Sequence, residues 1–151
     1  MKISIGADHA GYEMKSQLID FVKQLGHKVH DVGTHEPDKP DDYPDYAILV
    51  AEDIRSGNAD RGILVCGSGV GVSVAANKFK GIRAGLCHDH YSAHQGVEHD
   101  DMNVLVLGAR IIGPAMAQDA AEAFLNAKFS GEERHVRRLN KVKGIEKDEF
   151  R

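Results

Sequence analysis

The stretch Gly62-Ile63-Leu64-Val65-Cys66-Gly67-Ser68-Gly69-Val70-Gly71 decides the fold. Its first half is a continuous apolar run, the pattern of a strand covered on both faces. Its second half spaces three glycines through five residues, and a segment of helical character follows from about Val72 to Phe79. The reading is strand, tight turn, helix. Glycines there let the backbone turn sharply and aim several N–H groups at an anion at the positive end of the helix. The G-x-G-x-G spacing is neither the dinucleotide fingerprint nor a P-loop, which needs a lysine. From the residues alone, an anion cradle and a plain strand-to-helix turn both stay open.

The same alternation extends outward in both directions. Toward the N-terminus, Ile3 to Ala7 reads as a strand. The next helix carries Met14, Leu18, Phe21, Val22 and Leu25 on one face, with Gly26 closing it. Val29 to Val32 is a second strand. The stretch from Gly33 to Pro44, with three prolines, is predicted to be a loop, and Tyr46 to Ile54 a helix. Toward the C-terminus come a strand over Ile82 to Cys87, a helix around Ser92 to Val97 and a strand over Val104 to Leu107. A helix from Pro114 to Ala127 follows, its proline suited to the first turn, and then a charged helix from about Glu133 to Glu146. Five strands alternating with helices predict an α/β doubly wound fold of Rossmann or flavodoxin type. It has a five-stranded parallel sheet, helices on both faces and an extra C-terminal helix. No linker or repeat interrupts it, so residues 1–151 are expected to form one domain.

Composition narrows the classes. Hydrophobic residues make up 42% and charged residues 28% of the 151, ordinary for a globular protein that buries about two-thirds of its unfolded surface. The net charge of −4 argues against a nucleic-acid partner. Two cysteines, Cys66 and Cys87, without a CxxC pair provide neither a zinc framework nor a disulfide scaffold. Asp8 and His9 interrupt the N-terminus too early for a signal peptide, and no apolar run reaches the ~18 residues of a membrane span. A cytoplasmic protein without a membrane partner is the expectation.

Open parallel sheets bind ligands outside the carboxyl ends of their strands. The residues there are Asp8-His9, Gly33-Thr34, Cys66-Gly67-Ser68, His88-Asp89 and Gly108-Ala109-Arg110. Cys66 is either a buried structural thiol or, beside a helix N-terminus that lowers its pKa, a base or nucleophile. Cys87 has no glycine loop after it and reads as packing. Asp8 and His9 could meet substrate hydroxyls or phosphate, or be a helix cap and a turn residue. His99-Asp100-Asp101 precedes the fifth strand, where a surface histidine is the plain reading. His90 and His94 lie four apart, but no third ligand accompanies them, and no metal is expected. On the last helix Arg134, Arg138 and Lys141 share one face, a solvated basic face or a phosphate clamp.

Taken together and in this order, several segments resemble the family of type B ribose-5-phosphate isomerases and lactose-pathway galactose-6-phosphate isomerase subunits. They are Gly6-Ala7-Asp8-His9-Ala10-Gly11, Asp42-Tyr43-Pro44, Gly62 through Gly71 to Ala75-Ala76-Asn77-Lys78, Gly81-Ile82-Arg83-Ala84, Asn103 to Arg110 and Arg134-His135. The resemblance implies an aldose–ketose isomerase that uses no cofactor and passes through an enediolate. Cys66 would move the proton between C1 and C2. The N–H groups of Gly67, Gly69, Val70 and Gly71, with the Ser68 hydroxyl, would stabilise the enediolate oxygens, and His99 would open the furanose ring. His9, Arg134 and Arg138 would hold the phosphate with help from Arg110, while Asp8 and Tyr43 line the sugar and Asp100 lies near the ligand. The partners implied are a sugar phosphate and further copies of the chain, as a homodimer or dimer of dimers.

This moves the phosphate away from the glycine loop, where the residues alone would have placed it. The physics agrees, because an enediolate is also an anion and donors aimed at developing charge favour the transition state. Three positions depart from the family pattern. Ser68 stands where threonine is frequent and keeps the hydroxyl. Asp100 stands where asparagine is frequent. Val72 occupies a position where one branch carries a glutamate base, which leaves the role to Cys66. The alternatives are a hexose 6-phosphate substrate, such as allose or galactose 6-phosphate, and a non-catalytic nucleotide- or phosphate-binding module.

Overall fold

In the computed structural model, which describes residues 1–150, the apolar run forms β3 (Arg61–Cys66) at the centre of a five-stranded parallel sheet. The other strands are β1 (Lys2–Ala7), β2 (Lys28–Gly33), β4 (Ala84–Leu86) and β5 (Val104–Gly108), in the order β2-β1-β3-β5-β4. Ile5 pairs with Ile63 and Ala7 with Val65 on one side of β3, and Cys66 pairs with Gly108 on the other. The connecting helices are α1 (Tyr12–Gln24), α2 (Tyr43–Ser56), α3 (Val70–Ala76), α4 (His90–Asp100) and α5 (Pro114–Asn126), and α6 (Glu133–Glu149) follows. The fold is the doubly wound α/β architecture expected. Strand order reverses between β1 and β3, so the ligand crevice lies between the residues that follow those two strands.

Side-chain alternation along β3 divides the core. Ile63 and Val65 face α1, α4 and α5 through Leu18, Val97 and Phe124. Leu64 and Cys66 face α2 and α3 through Val50, Val72 and Ala76. The deeply buried Lys15 of α1 keeps its ammonium on Asp31 of β2 at 2.6 Å, the partner that a buried charge requires.

The boundaries of four elements differ from the sequence reading, each for a local reason. Helix α2 begins at Tyr43, because Pro44 fits the first turn, where no N–H is needed. Helix α3 begins at Val70, directly after Gly69, so the helix N-terminus is closer to Cys66. Helix α4 runs from His90 to Asp100, capped by the Asp89 carboxylate accepting from Ser92 N–H at 2.9 Å. His99 and Asp100 therefore lie on the last turn of a helix. Strand β4 is shorter than its apolar run, since the Asn103 side chain takes the Arg83 N–H at 2.8 Å.

Candidate active site

The crevice between β1 and β3 is built around Cys66. Asp8 ends β1 and turns the chain into a short 3-10 segment, His9–Gly11. Its Oδ1 accepts from the Gly11 N–H and its Oδ2 from the Cys66 thiol, both at 3.1 Å. Asp8 is thus both the cap and the neighbour of the thiol. Gly69 adopts φ +83°, with a position for Cβ only 2.7 Å from Leu86 Cδ1, so a side chain there would be strained and crowded. That turn leaves the Gly67 and Gly69 N–H groups on the Cys66 sulfur. The Ser68 hydroxyl accepts from the Val70 N–H at 3.2 Å. A Cβ on Gly71 would lie 2.7 Å from the Tyr43 ring, so the missing side chain seats Tyr43 over the loop.

The other members of this group are held by side chains that the sequence did not bring forward. His9 Nδ1 lies 2.6 Å from Asp41 Oδ1, and its backbone N–H donates to the same oxygen at 3.1 Å. The Tyr46 hydroxyl donates to Asp41 Oδ2 at 2.6 Å. Burial opposes the Asp41 charge, but the hydrogen bonds from Tyr46 and His9 prevail and hold its carboxyl below the usual range. Only the close-set acids around Tyr43 hinted at Asp41. His88 accepts from the Gly108 N–H at 2.8 Å and pins the turn that presents Arg110, whose guanidinium lies along Gly67.

The Cys66 thiol departs from the expectation of a lowered pKa. Burial pushes it up, the Asp8 hydrogen bond and charge add to that, and it reaches about 11. The Gly67 and Gly69 N–H groups pull the other way, as a helix N-terminus should, but are outweighed. Cys87 lies in the core against Met102, as packing.

The remaining candidates lie elsewhere. Helix α4 links two parallel strands, so its eleven residues carry the chain back about 16 Å, from the carboxyl edge of the sheet to the amino edge. His99 and Asp100 are therefore at the amino edge, and α6 brings Arg134 and Arg138 there. The His99 ring stacks on His135 of α6 at 4.0 Å between centroids. Its Nδ1 meets Gln95 Nε2 at 3.0 Å, and its Nε2 faces Glu98 at 3.6 Å. Arg134 pairs with Glu132 at 3.1 Å. Asp100 and Arg138 line a cleft of about 400 Å³ between α6 and β4, with Arg83 and Lys143. One chain thus assembles Asp8, His9, Tyr43, Cys66, the loop from Gly67 to Gly71 and Arg110 at one edge. It holds His99, Asp100, Arg134 and Arg138 at the other.

A family model for the Ribose/Galactose Isomerase family matches residues 3–142. The chain belongs to that family. Its relatives include the ribose-5-phosphate isomerase B of Escherichia coli strain K12, 42% identical over 96% of each chain. The D-erythrulose-4-phosphate isomerase of Pectobacterium atrosepticum is 41% identical over 87% of this chain and 86% of that one. The solved structure of Clostridium thermocellum ribose-5-phosphate isomerase B superposes with a TM-score of 0.94 at 47% identity, covering 98% of this chain and 99% of that one.

Asp8, His9 and Asp41 bring ligand atoms within 4.8 Å of one another, but the Asp8 and Asp41 oxygens are all engaged by thiol, amide, imidazole or phenol donors. His90 pairs with Asp119 and His94 with Glu98. No helix among the described residues is long and apolar enough to cross a membrane.

Proposed function

We propose that this family member interconverts ribose 5-phosphate and ribulose 5-phosphate through an enediolate. It does so without a metal ion or organic cofactor, in sites shared between two protomers of a homodimer. The observation that supports this best is Cys66, a thiol in the β1/β3 crevice held by Asp8, with loop N–H groups on its sulfur. A base that shuttles a proton between adjacent carbons must touch both, and donors around it must meet the oxygen charge that develops. Cys66 would take the proton. The N–H groups from Gly67 to Gly71 and Ser68 would hold the enediolate. His9, fixed by Asp41, and Arg110 would bind oxygen anions of the substrate, and Tyr43 would wall the sugar.

The other half of each site would come from the facing protomer. His99 of the partner subunit would open the furanose ring. Arg134 of the partner subunit and Arg138 of the partner subunit would hold the phosphate, with Asp100 of the partner subunit near the sugar. Their charge also bears on the base. Ionising a thiol with a pKa of about 11 at pH 7 costs about 5 kcal/mol. Passing the proton to a carboxylate is costlier still, because carboxylic acids are far stronger acids than thiols, so Asp8 aims the thiol rather than deprotonating it. Arginines brought opposite the sulfur favour the thiolate and reduce that cost.

A second reading keeps the chemistry and changes the sugar. The Pectobacterium relative is named for a four-carbon ketose phosphate, and hexose 6-phosphates are the six-carbon alternative. The deciding experiment compares kcat/KM for ribose 5-phosphate, ribulose 5-phosphate, erythrulose 4-phosphate, allose 6-phosphate and galactose 6-phosphate, with and without a chelator. The pentose pair should lead, and chelation should leave its rate unchanged. A faster tetrose or hexose would replace the substrate assignment. Nucleotide binding with no turnover of any sugar phosphate would leave only a binding module.

A further inference from the structure

His135 has no part in the chemistry described so far, yet it is 2% exposed on a helix that otherwise buries only Leu139. Its Nδ1 is tethered to the Ser130 hydroxyl, which also accepts from the Glu132 N–H. Its Nε2 is fully buried and meets no hydrogen-bond partner among the described residues. Burying an unpartnered ring nitrogen is unfavourable, and an aliphatic side chain would fill the space without that cost. What the imidazole supplies is a flat ring held at a fixed tilt, and the His99 ring lies on it, 4.0 Å away and inclined by 25°.

We propose that His135 is a positioning residue for ring opening: its tethered ring is the platform that fixes the His99 imidazole. The inference rests on the reading of His99 as the ring-opening acid. With the Gln95 amide donating to Nδ1, neutral His99 carries its hydrogen on Nε2, the edge that His135 leaves free for a sugar oxygen. The charged groups around the stack are Glu98 on α4, Glu132 before α6, and Arg134 and Arg138 on α6. Burial, with His99 and Arg134 nearby, disfavours a proton on His135, so it adds no positive charge against His99 when His99 is protonated.

The two substrates of the reaction separate this role from a merely structural one. Ribose 5-phosphate is mostly a closed furanose, whereas ribulose 5-phosphate has its O5 esterified, cannot close that ring and needs no opening. The kcat at saturating substrate, which unlike kcat/KM is not tied between directions by the equilibrium constant, is measured each way for His99→Ala, His135→Ala, His135→Phe and Ser130→Ala. In His135→Ala, ribose 5-phosphate turnover should fall roughly 10–100-fold and ribulose 5-phosphate turnover less than about threefold, the scale of a misplaced reacting group. His135→Phe keeps a flat platform but not the Ser130 tether, so its ribose 5-phosphate turnover should fall no further than that of Ser130→Ala. Ser130→Ala, at an exposed residue, should show the same bias more weakly, and it carries the test if His135→Ala does not fold. Equal losses in both directions, or none, would overturn the proposal. If His99→Ala itself shows no bias toward ribose 5-phosphate, the role of His99 fails first. Bias in His99→Ala without bias in the His135 and Ser130 variants defeats the positioning role alone.

Discussion

The two edges of the sheet hold groups of opposite character. At the carboxyl edge the buried Cys66 thiol is hydrogen-bonded to Asp8, and beside that pair His9, Asp41 and Tyr46 form a second hydrogen-bonded group around the crevice. At the amino edge Arg134 and Arg138 are exposed, and His99 stacks on the buried His135. The first group holds a buried thiol against a carboxylate, the arrangement the proposed proton transfer would use. The second carries the exposed arginines Arg134 and Arg138. Each lacks what the other offers, which is the arrangement expected if two copies of the chain face each other across a two-fold axis.

The largest effect should come from the carboxyl edge. Cys66→Ala should lower kcat by roughly 10²–10⁴-fold, the range for loss of a general base, with little change in binding. Cys87→Ala removes a thiol from the core and should leave kcat nearly intact. Near-normal turnover by folded Cys66→Ala would transfer the role to another residue, with Asp8 the next to substitute.

Mixing two variants impaired on ribose 5-phosphate, assayed with that sugar, tests whether the edges meet between subunits. Dimers formed from Cys66→Ala and His99→Ala chains contain one site with both lesions and one with neither. Random reassociation of equal amounts should restore about a quarter of parental activity, since half the dimers are mixed and each has one intact site. No recovery, with exchange verified by mass spectrometry, would mean that each site belongs to one chain.

Arg138→Ala tests the amino edge alone. Loss of a charged hydrogen bond to phosphate should weaken substrate binding by about 2–3 kcal/mol and leave an analogue without phosphate almost unaffected. Equal weakening of both would make Arg138 a structural residue of the cleft that it lines with Asp100.

These two edges also mark what could be read in the chain beforehand. Strand ends were legible, because apolar runs bounded by glycine or acidic turns place Asp8, Cys66 and Arg110 at one edge whatever the details. His99 reads as a surface histidine beyond a helix around Ser92 to Val97, because Gly96 and the polar run from Glu98 to Asp101 weaken the helical pattern. Asp89 as a cap carries α4 through to Asp100. Asp41 depends on a contact with His9 across 32 residues, and His135 on a stack across 36, neither of which any local pattern encodes. The pKa of Cys66 was misjudged for the same reason. The helix N-terminus is visible in the sequence, but the depth of burial and the carboxylate 58 residues away are not.

That correction gives the smallest and most discriminating prediction. A thiol acting as base must be ionised, and the pH dependence of kcat/KM reports the ionisations of the free enzyme. Burial and Asp8 hold the resting thiol near 11, so at neutral pH almost all of it is protonated. Below that value each pH unit raises the thiolate fraction about tenfold, so kcat/KM should climb with a slope approaching one between pH 7 and 9. In a shared site, positive charge from the opposite edge would shift the plateau toward neutrality by favouring the thiolate. Arg138→Ala should therefore move the limb to higher pH, whereas Asp8→Asn, which removes the neighbouring negative charge, should move it to lower pH. A limb that Asp8→Asn leaves in place would show that the titrating group is not Cys66. A limb that responds to Asp8→Asn but not to Arg138→Ala would keep Cys66 as the base and deny that the amino edge acts on it.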